Sequence, residues 1–370
     1  MERRTFALID LNKIAHNIRE LKRCAGTAVL AVVKADAYGH GLAAVAQTAY
    51  KEGVRHFAVA TPDEAQSLRQ LLPEGDVMIL ILSPVEDAVC AKMVACGVSL
   101  CVFTKRQVQA AGKAAAALGV PARVHIKLDT GMGRVGLRTD AELEDVLEAV
   151  RQNPGVQVEG LFTHFATADE ADKSFTALQL EKYRRWQQQV LAAGHKPICH
   201  ASNSAAILEV GEAHMDLCRM GISMYGYMPS GEVDASLAEL QPAMSLFSYI
   251  SHIKTIEAGE SVSYGRTFIA KRPTKVATVP VGYADGYRRG LSGKASAIVM
   301  GKMVPLIGRV CMDQIMLDVT GLDVNEGDTV LLMGEENGVA FTADDMAACC
   351  DTISYEIICG FSARVPRVYV

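Results

Sequence analysis

From Ala28 onward, short apolar runs alternate with helix-length amphipathic stretches, and no other feature narrows the choice of fold as far. The first run, Ala28-Val29-Leu30-Ala31-Val32-Val33, has no polar alternation, as expected of a strand buried on both faces of a parallel sheet. Further strands are predicted over 56–60, 77–82, 98–103, 122–128, 156–162, 197–200 and 214–219. Helical patterns lie between them at 42–50, 62–72, 86–96, 104–118, 140–152, 174–193 and 203–210. Several open on capping signals: Thr61-Pro62 with Glu64, Ser83-Pro84 with Glu86, Thr104, and Thr139-Asp140. Eight strand–helix units over roughly 220 residues are what a (β/α)8 TIM-type barrel needs. A doubly wound open sheet repeats the same unit, so the repetition alone leaves closure open.

The flanks read differently. Arg4 to Asp10 alternates loosely, as a strand would, and Asp10 caps a helix with Leu11, Ile14, Ile18 and Leu21 at helical spacing. After Tyr225, residues 244–334 carry strand patterns and turn signals at Gly301-Lys302 and Glu335-Glu336-Asn337-Gly338. One clear late helix follows, opened by Thr342 with Asp345. A chain of 370 residues exceeds what one hydrophobic core usually serves. The expected α/β organisation is an N-terminal strand at 1–10 that packs with the C-terminal domain, a barrel at 11–235, and a mainly β domain at 236–370.

A formal net charge of −5 argues against nucleic acid or anionic lipid as the main partner. The opening MERRTFALID is not a secretory signal, and no run reaches the ~20 apolar residues of a membrane span. Ten scattered cysteines form no C-x-x-C pair. The expectation is a cytoplasmic enzyme with reduced thiols and no metal.

Lys34 follows the first strand directly, ahead of a short loop holding Asp36, Tyr38, Gly39, His40 and Gly41. The C-terminal ends of barrel strands are where such folds keep their chemistry. Apolar walls there disfavour an ammonium and make an amine a nucleophile or base. A lysine that snorkels to solvent is the plain alternative. Gly131-Met132-Gly133-Arg134-Val135-Gly136 matches G-x-G-x-x-G, but Lys127, Asp129 and Thr130 separate it from the strand. A glycine-rich turn between barrel elements is the better reading. His164 and Arg219 each follow or end a strand, and Ser204 lies in a segment that opens a helix. Tyr264 and Tyr283 sit beside glycines in the second domain, where a phenol can act as base if cations lower its pKa, or merely pack a turn.

Taken together the blocks are specific. Val32-Val33-Lys34-Ala35-Asp36-Ala37-Tyr38-Gly39-His40-Gly41 resembles the cofactor-attachment motif of the alanine racemase family. Lys127 to Arg134, Thr163-His164-Phe165-Ala166, Ala201-Ser202-Asn203-Ser204, Arg219-Met220-Gly221 and Val262-Ser263-Tyr264-Gly265 resemble further blocks of that family. So do Gly282-Tyr283-Ala284-Asp285-Gly286, Gly308 to Asp313 and Ile353-Ser354-Tyr355-Glu356, in the family's order and over nearly the whole chain.

The resemblance implies interconversion of L- and D-alanine with pyridoxal 5'-phosphate carried on Lys34, in a homodimer whose active site is shared between subunits. It makes Lys34 and Tyr264 the two opposed acid/bases, with Tyr264 supplied by the other subunit. It implies that Tyr38, Ser204, Tyr355, Gly221 and Ile222 hold the phosphate, that Arg219 faces the pyridine nitrogen and that His164 lies against the ring. Arg134 and Met312 would meet the substrate carboxylate, and Lys127 matches a lysine carbamylated in many members. Asp169, Tyr283, Arg289, Arg309 and Ile353 would line the entrance. A broader-specificity racemase and a non-catalytic carrier of the same cofactor are the alternatives, and D-alanine for cell-wall synthesis is the expected use.

Overall fold

The computed structural model describes residues 5–72 and 76–370, so Arg4, placed in the first predicted strand, lies outside the described residues. The chain divides into two compact units. One comprises Lys13–Ala37 and Gly41–Gln241; the other comprises Met1–Asn12, Tyr38–His40 and Pro242–Val370.

With β1 at Phe6–Ile9 in the second unit, the first unit holds eight strands. They are β2 (Ala28–Val32), β3 (His56–Val59), β4 (Met78–Ile81), β5 (Ser99–Val102), β6 (Ala122–Lys127), β7 (Val156–Phe162), β8 (Ile198–His200) and β9 (Leu217–Met220). They pair in the order β8-β7-β6-β5-β4-β3-β2-β9, and every pairing is parallel. The two ends of that order meet where Asp216 N–H donates to the Cys199 carbonyl and Arg219 N–H to the Ser202 carbonyl, each at 3.1 Å. The sheet is therefore a barrel rather than an open doubly wound sheet. Leu30, Ala31, Phe57, Ala58, Ile79, Leu80 and Ile81 are fully buried, as unbroken apolar strands covered by helices require.

Thr61, Thr104 and Thr139 each cap their helix reciprocally with Glu64, Gln107 and Glu142 three residues on. Ser83-Pro84 does not cap. That helix begins at Asp87 after Glu86, with no side-chain cap, because Ser83-Pro84 belongs to the loop leaving β4. Asp10 does accept from Asn12 N–H (2.9 Å) ahead of the helix Leu11–Ala25.

The second unit is mainly β. Its seven-stranded sheet runs Lys302–Pro305, Ser296–Val299, Thr329–Glu336, Met244–Tyr249, β1, Arg367–Tyr369, with Val339–Phe341 added on Thr329–Glu336. The first and last strands of the chain are thus neighbours, β1 being antiparallel to Met244–Tyr249 and parallel to Arg367–Tyr369. Two-residue hairpins with positive φ stand at Asn337-Gly338 (53°, 78°), as expected, and at Met300-Gly301 (53°, 68°), one residue earlier than Gly301-Lys302, because Lys302 already pairs in the strand. Thr342 caps the helix Ala343–Cys350 with Asp345. A second late helix, Ser354–Cys359, was not expected; at six residues it is too short to show a periodic apolar face.

Candidate active site

Lys34 is half-buried at the end of β2, where Val33 N–H still bonds the Ala58 carbonyl of β3. The segment that follows is not an ordinary loop. Ala35, Asp36, Ala37 and Tyr38 have φ of 52°, 53°, 53° and 52°, one turn of left-handed backbone built without glycine. Such a conformation costs an L-residue roughly 1–2 kcal/mol each, so it persists only where surrounding bonds dictate it. Ala37 N–H donates to Val33 O (3.0 Å), and Asp36 accepts from Gly41 N–H (2.9 Å) at its carbonyl and from Leu42 N–H (2.7 Å) at its carboxylate. Ala35 N–H donates to Glu64 Oε1 (2.7 Å). Glu64 Oε2 meanwhile takes Ala60 and Thr61 N–H, so a single glutamate both caps a helix and fixes the backbone beside Lys34.

Around the same barrel mouth, Arg219 at the end of β9 is almost fully buried (4 % exposed). It donates to the carbonyls of Thr163 (2.8 Å), Ala201 (2.8 Å) and His200 (2.9 Å), to His200 Nδ1 (3.2 Å) and toward His164 Nδ1 (3.4 Å). Burial draws its pKa down to about 10, which leaves the guanidinium charged at neutral pH. His164 is held well below the usual histidine range, first by burial and then by the cations Arg219, Lys127, Arg134 and Lys34. Lys127, at the end of β6, is 3 % exposed, and its Nζ has no hydrogen-bond partner and lies 4.9 Å from the Phe162 ring centre. Burial, then Arg219, lowers its pKa to about 7. Ser204 Oγ accepts from Gly221 N–H (3.0 Å) and Ser223 N–H (3.4 Å), which leaves its hydroxyl proton free to donate; Ile222 between them is buried. Basic side chains from four positions and a buried hydroxyl on one mouth are a combination suited to an anionic ligand.

The glycine-rich segment is a turn, as read. Leu128 and Leu137 form a bridge across it, and Asp129 accepts from Gly131 N–H (3.1 Å) and Gly133 N–H (2.9 Å). A Cβ on Gly136 would lie 2.6 Å from Asp129 N. Arg134 on this turn is exposed, yet lies close enough to His164 to help hold its pKa down. Asp169, elsewhere in the barrel unit, accepts Ser230 Oγ at its carbonyl (2.5 Å).

In the second unit, Tyr264 tops the hairpin Ser261–Val262/Phe268–Ile269, with Ser263, Gly265 and Arg266 all at positive φ. The residue is 67 % exposed. Ser263 Oγ donates to Arg309 O (2.8 Å), and a Cβ on Gly265 would sit 3.3 Å from the Arg309 guanidinium. Tyr283 N–H bonds Cys311 O (3.1 Å) and Ala284 N–H bonds Met312 O (3.0 Å), so these loops are tied together. Met312, Tyr283, Arg289 and Ile353 are exposed. Tyr38 is buried, its phenol pKa pushed up by burial, and its ring centre is 6.2 Å from that of Tyr355. Gly39 beside it has φ 77° and would drive a Cβ into the Ile358 carbonyl at 2.3 Å.

Sequence reasoning missed His125, His200 and Glu159, which join Arg219 in one network that is buried except at the Glu159 end. The signal for them was weak: His125 and Glu159 are polar residues within β6 and β7, which hold other polar residues too, and His200 ends β8.

Comparison with known proteins bears directly on this arrangement. Residues 9–229 match the alanine racemase N-terminal domain and 243–369 the alanine racemase C-terminal domain. The chain is 44 % identical to an alanine racemase of Clostridium perfringens over 371 residues, covering 99 % of this chain and 95 % of the relative. It is 43 % identical to alanine racemase 2 of Caldanaerobacter subterraneus over 367 residues, covering 98 % and 94 %. The crystal structure of the Streptomyces coelicolor alanine racemase superposes with a TM-score of 0.95 at 37 % identity, over 99 % of this chain and 98 % of that one. The Bacillus anthracis alanine racemase, solved with bound L-Ala-P, gives 0.93 at 36 % identity over 100 % and 96 %. With the matches to both domains together spanning residues 9–229 and 243–369, and relatives 43–44 % identical over nearly the whole chain, the chain belongs to the alanine racemase family and is an isomerase that interconverts L- and D-alanine.

Proposed function

We propose that the chain holds pyridoxal 5'-phosphate on Lys34 and works as a homodimer, with Lys34 and Tyr264 of the partner subunit on opposite faces of the substrate α-carbon. The observation that supports this most is the convergence of Lys34, Lys127, Arg134 and Arg219 on a neutral His164. An anionic cofactor and an amino-acid carboxylate are the ligands such a mouth suits. The donor set also fits the cofactor's parts. Ser204 with the Gly221 and Ile222 backbone, joined by Tyr38 and Tyr355, would take the phosphate. His164 would lie against the ring and Arg219 would face its nitrogen.

Bound there, the cofactor would supply a conjugated ring that spreads the charge left when the α-proton departs. The protein's part is the proton traffic. The Lys34 amine takes the proton from D-alanine on one face, and the Tyr264 phenol delivers one on the other; for L-alanine the roles exchange. Arg219 keeps its own proton at working pH, so facing the ring nitrogen it would keep that nitrogen bare and the ring a modest electron sink. Arg134 and the partner subunit's Met312 would hold the carboxylate. A carbamate on Lys127 would turn a buried cation into an anion that orients Arg134. Asp169, Tyr283, Arg289, Arg309 and Ile353 would form the outer corridor. Among the described residues no helix is long and apolar enough to cross a membrane, and we place the enzyme in the cytoplasm, supplying D-alanine for cell-wall synthesis.

The purified protein should absorb in the visible, lose that band as Lys34→Ala, and exchange the α-proton of L-alanine in D2O. A band that survives Lys34→Ala, or no exchange, overturns the reading. Faster exchange of serine than alanine would redirect it to a broader racemase.

A further inference from the structure

Below Arg219 the barrel core contains a chain of polar groups that the mechanism above does not use. Arg219 Nη1 meets His200 Nδ1 at 3.2 Å, His200 Nε2 meets His125 Nδ1 at 2.9 Å, and His125 Nε2 meets Glu159 Oε2 at 3.1 Å. Both imidazoles are completely buried, while the Glu159 side chain keeps 20 % exposure at the far end. Ser99 Oγ donates to the same Glu159 oxygen, and Arg123 Nε lies 3.8 Å from the other.

The order of donors is forced. A guanidinium only donates, so His200 Nδ1 must be bare. A neutral His200 then carries its proton on Nε2 and gives it to His125 Nδ1, which must also be bare. His125 Nε2–H is left to donate to a carboxylate, which only accepts. Charging either histidine sets N–H against N–H somewhere along the line. Burial first, and then the neighbouring His125 and Arg219, hold His200 well below the ordinary histidine range, in keeping with a neutral ring.

The backbone is shaped around this chain. Pairing of β6 with β7 slips by one residue between Val124 and His125. Opposite the slip stands Gly160, where a Cβ would fall 2.0 Å from His125 Nδ1 and 2.3 Å from its Cε1. No side chain other than hydrogen leaves room for the ring. His200 is in turn stacked flat on Phe162, with ring centres 4.9 Å apart and planes within 2°.

We propose that Glu159, His125 and His200 form a one-way hydrogen-bond relay in which the Glu159 carboxylate fixes both histidine tautomers and thereby positions the Arg219 guanidinium. These are positioning residues. A carboxylate behind an imidazole raises its basicity and locks its tautomer, as behind metal-bound histidines, and bonds in such a line polarise one another. The relay itself is independent of the cofactor; its consequence for turnover rests on the function proposed above.

Histidine 15N NMR of the holoenzyme near neutral pH tests it. Both His125 and His200 should show a bare Nδ1 and a protonated Nε2. A protonated Nδ1 on either ring overturns the proposal, whatever the activity. Glu159→Gln keeps an acceptor for His125 but removes the charge. It should move the His200 Nδ1 resonance, shift the visible absorption of the holoenzyme and lower kcat about tenfold, with KM for alanine changed less than kcat. Glu159→Asp should restore part of the loss. Unchanged resonances and kcat in Glu159→Gln also overturn the relay. Loss of the Lys34-dependent band in wild-type protein would instead undermine the cofactor reading and leave the tautomer result standing.

Discussion

The two units handle their functional side chains in opposite ways. In the barrel, Arg219 and Lys127 are 4 % and 3 % exposed, and Arg219 is pinned by three carbonyls and two histidines. In the β-rich unit, Tyr264, Met312 and Ile353 are 67 %, 53 % and 59 % exposed. Buried polar groups are pre-organised by the chain that carries them, whereas exposed aromatic and apolar groups of this size mark a surface that is finished by something else. The proposed homodimer, in which each chain would supply an organised half and a projecting half of the site, expects such a contrast.

The sharpest way to break that comparison is to place the two halves on different chains. Lys34→Ala and Tyr264→Phe homodimers should each lose about 10²–10⁴ of wild-type turnover, as expected for removal of an acid/base group. Co-expressed at equal levels, the two variants should recover about a quarter of wild-type activity. Half of the dimers would be mixed, and one of their two sites would be intact. Recovery no greater than the sum of the parents would show that each chain uses its own Tyr264.

A second test concerns the buried half alone. The Lys127 pKa is lowered to about 7 from an unfolded value of about 10.4, so between those pH values the unfolded chain binds the extra proton. Stability should therefore rise with pH across that window, and the cost of burying the ammonium should be fully present below it. In CO2-free buffer, Lys127→Met should be more stable than wild type at low pH by on the order of 3 kcal/mol, with the gap shrinking toward pH 10 in urea titrations. A pH-independent gap would contradict the buried, bare amine. In bicarbonate above neutral pH, wild type should gain the mass of one CO2, and Lys127→Met should not.

The smallest effect should come from a residue that shapes the barrel without touching its mouth. Thr104→Ala removes one side of the capping box with Gln107 and should cost about 1 kcal/mol, with turnover unchanged. A loss of activity there would mean that the barrel helices are coupled to the mouth more tightly than the hydrogen bonds suggest.

What could be read in advance was whatever depends on neighbours in sequence. Short, mostly apolar runs located all eight barrel strands, and threonines three residues before Glu or Gln marked three helix starts. Ser83-Pro84 misled because it carries the same local signal while the chain continues as loop. The helix at Ser354–Cys359 was hidden by its brevity. The left-handed turn at Ala35–Tyr38 was illegible for another reason. Alanine and tyrosine do not seek positive φ, and beside the local bonds of Val33, Gly41 and Leu42 the turn is fixed at Ala35 by Glu64, far along the chain. The polar line through the barrel was equally hidden. A histidine within ARVHIK looks like a tolerated interruption until folding lays β6 beside β7 and β8 near β9. Charge, by contrast, was visible one residue at a time; that Lys34, Lys127, Arg134 and Arg219 share one mouth came from the family resemblance and not from their spacing.

That left-handed turn bears on chirality in the backbone itself. Two of its residues, Ala35 and Ala37, hold a conformation that is relaxed for the mirror-image amino acid and strained for the natural one. A semisynthetic chain with D-alanine at 35 and 37 should therefore fold with less strain beside Lys34 than the ribosomal chain. The protein spends conformational energy holding two L-alanines in the shape favoured by the other enantiomer, within a few residues of the amine proposed to interconvert the free forms.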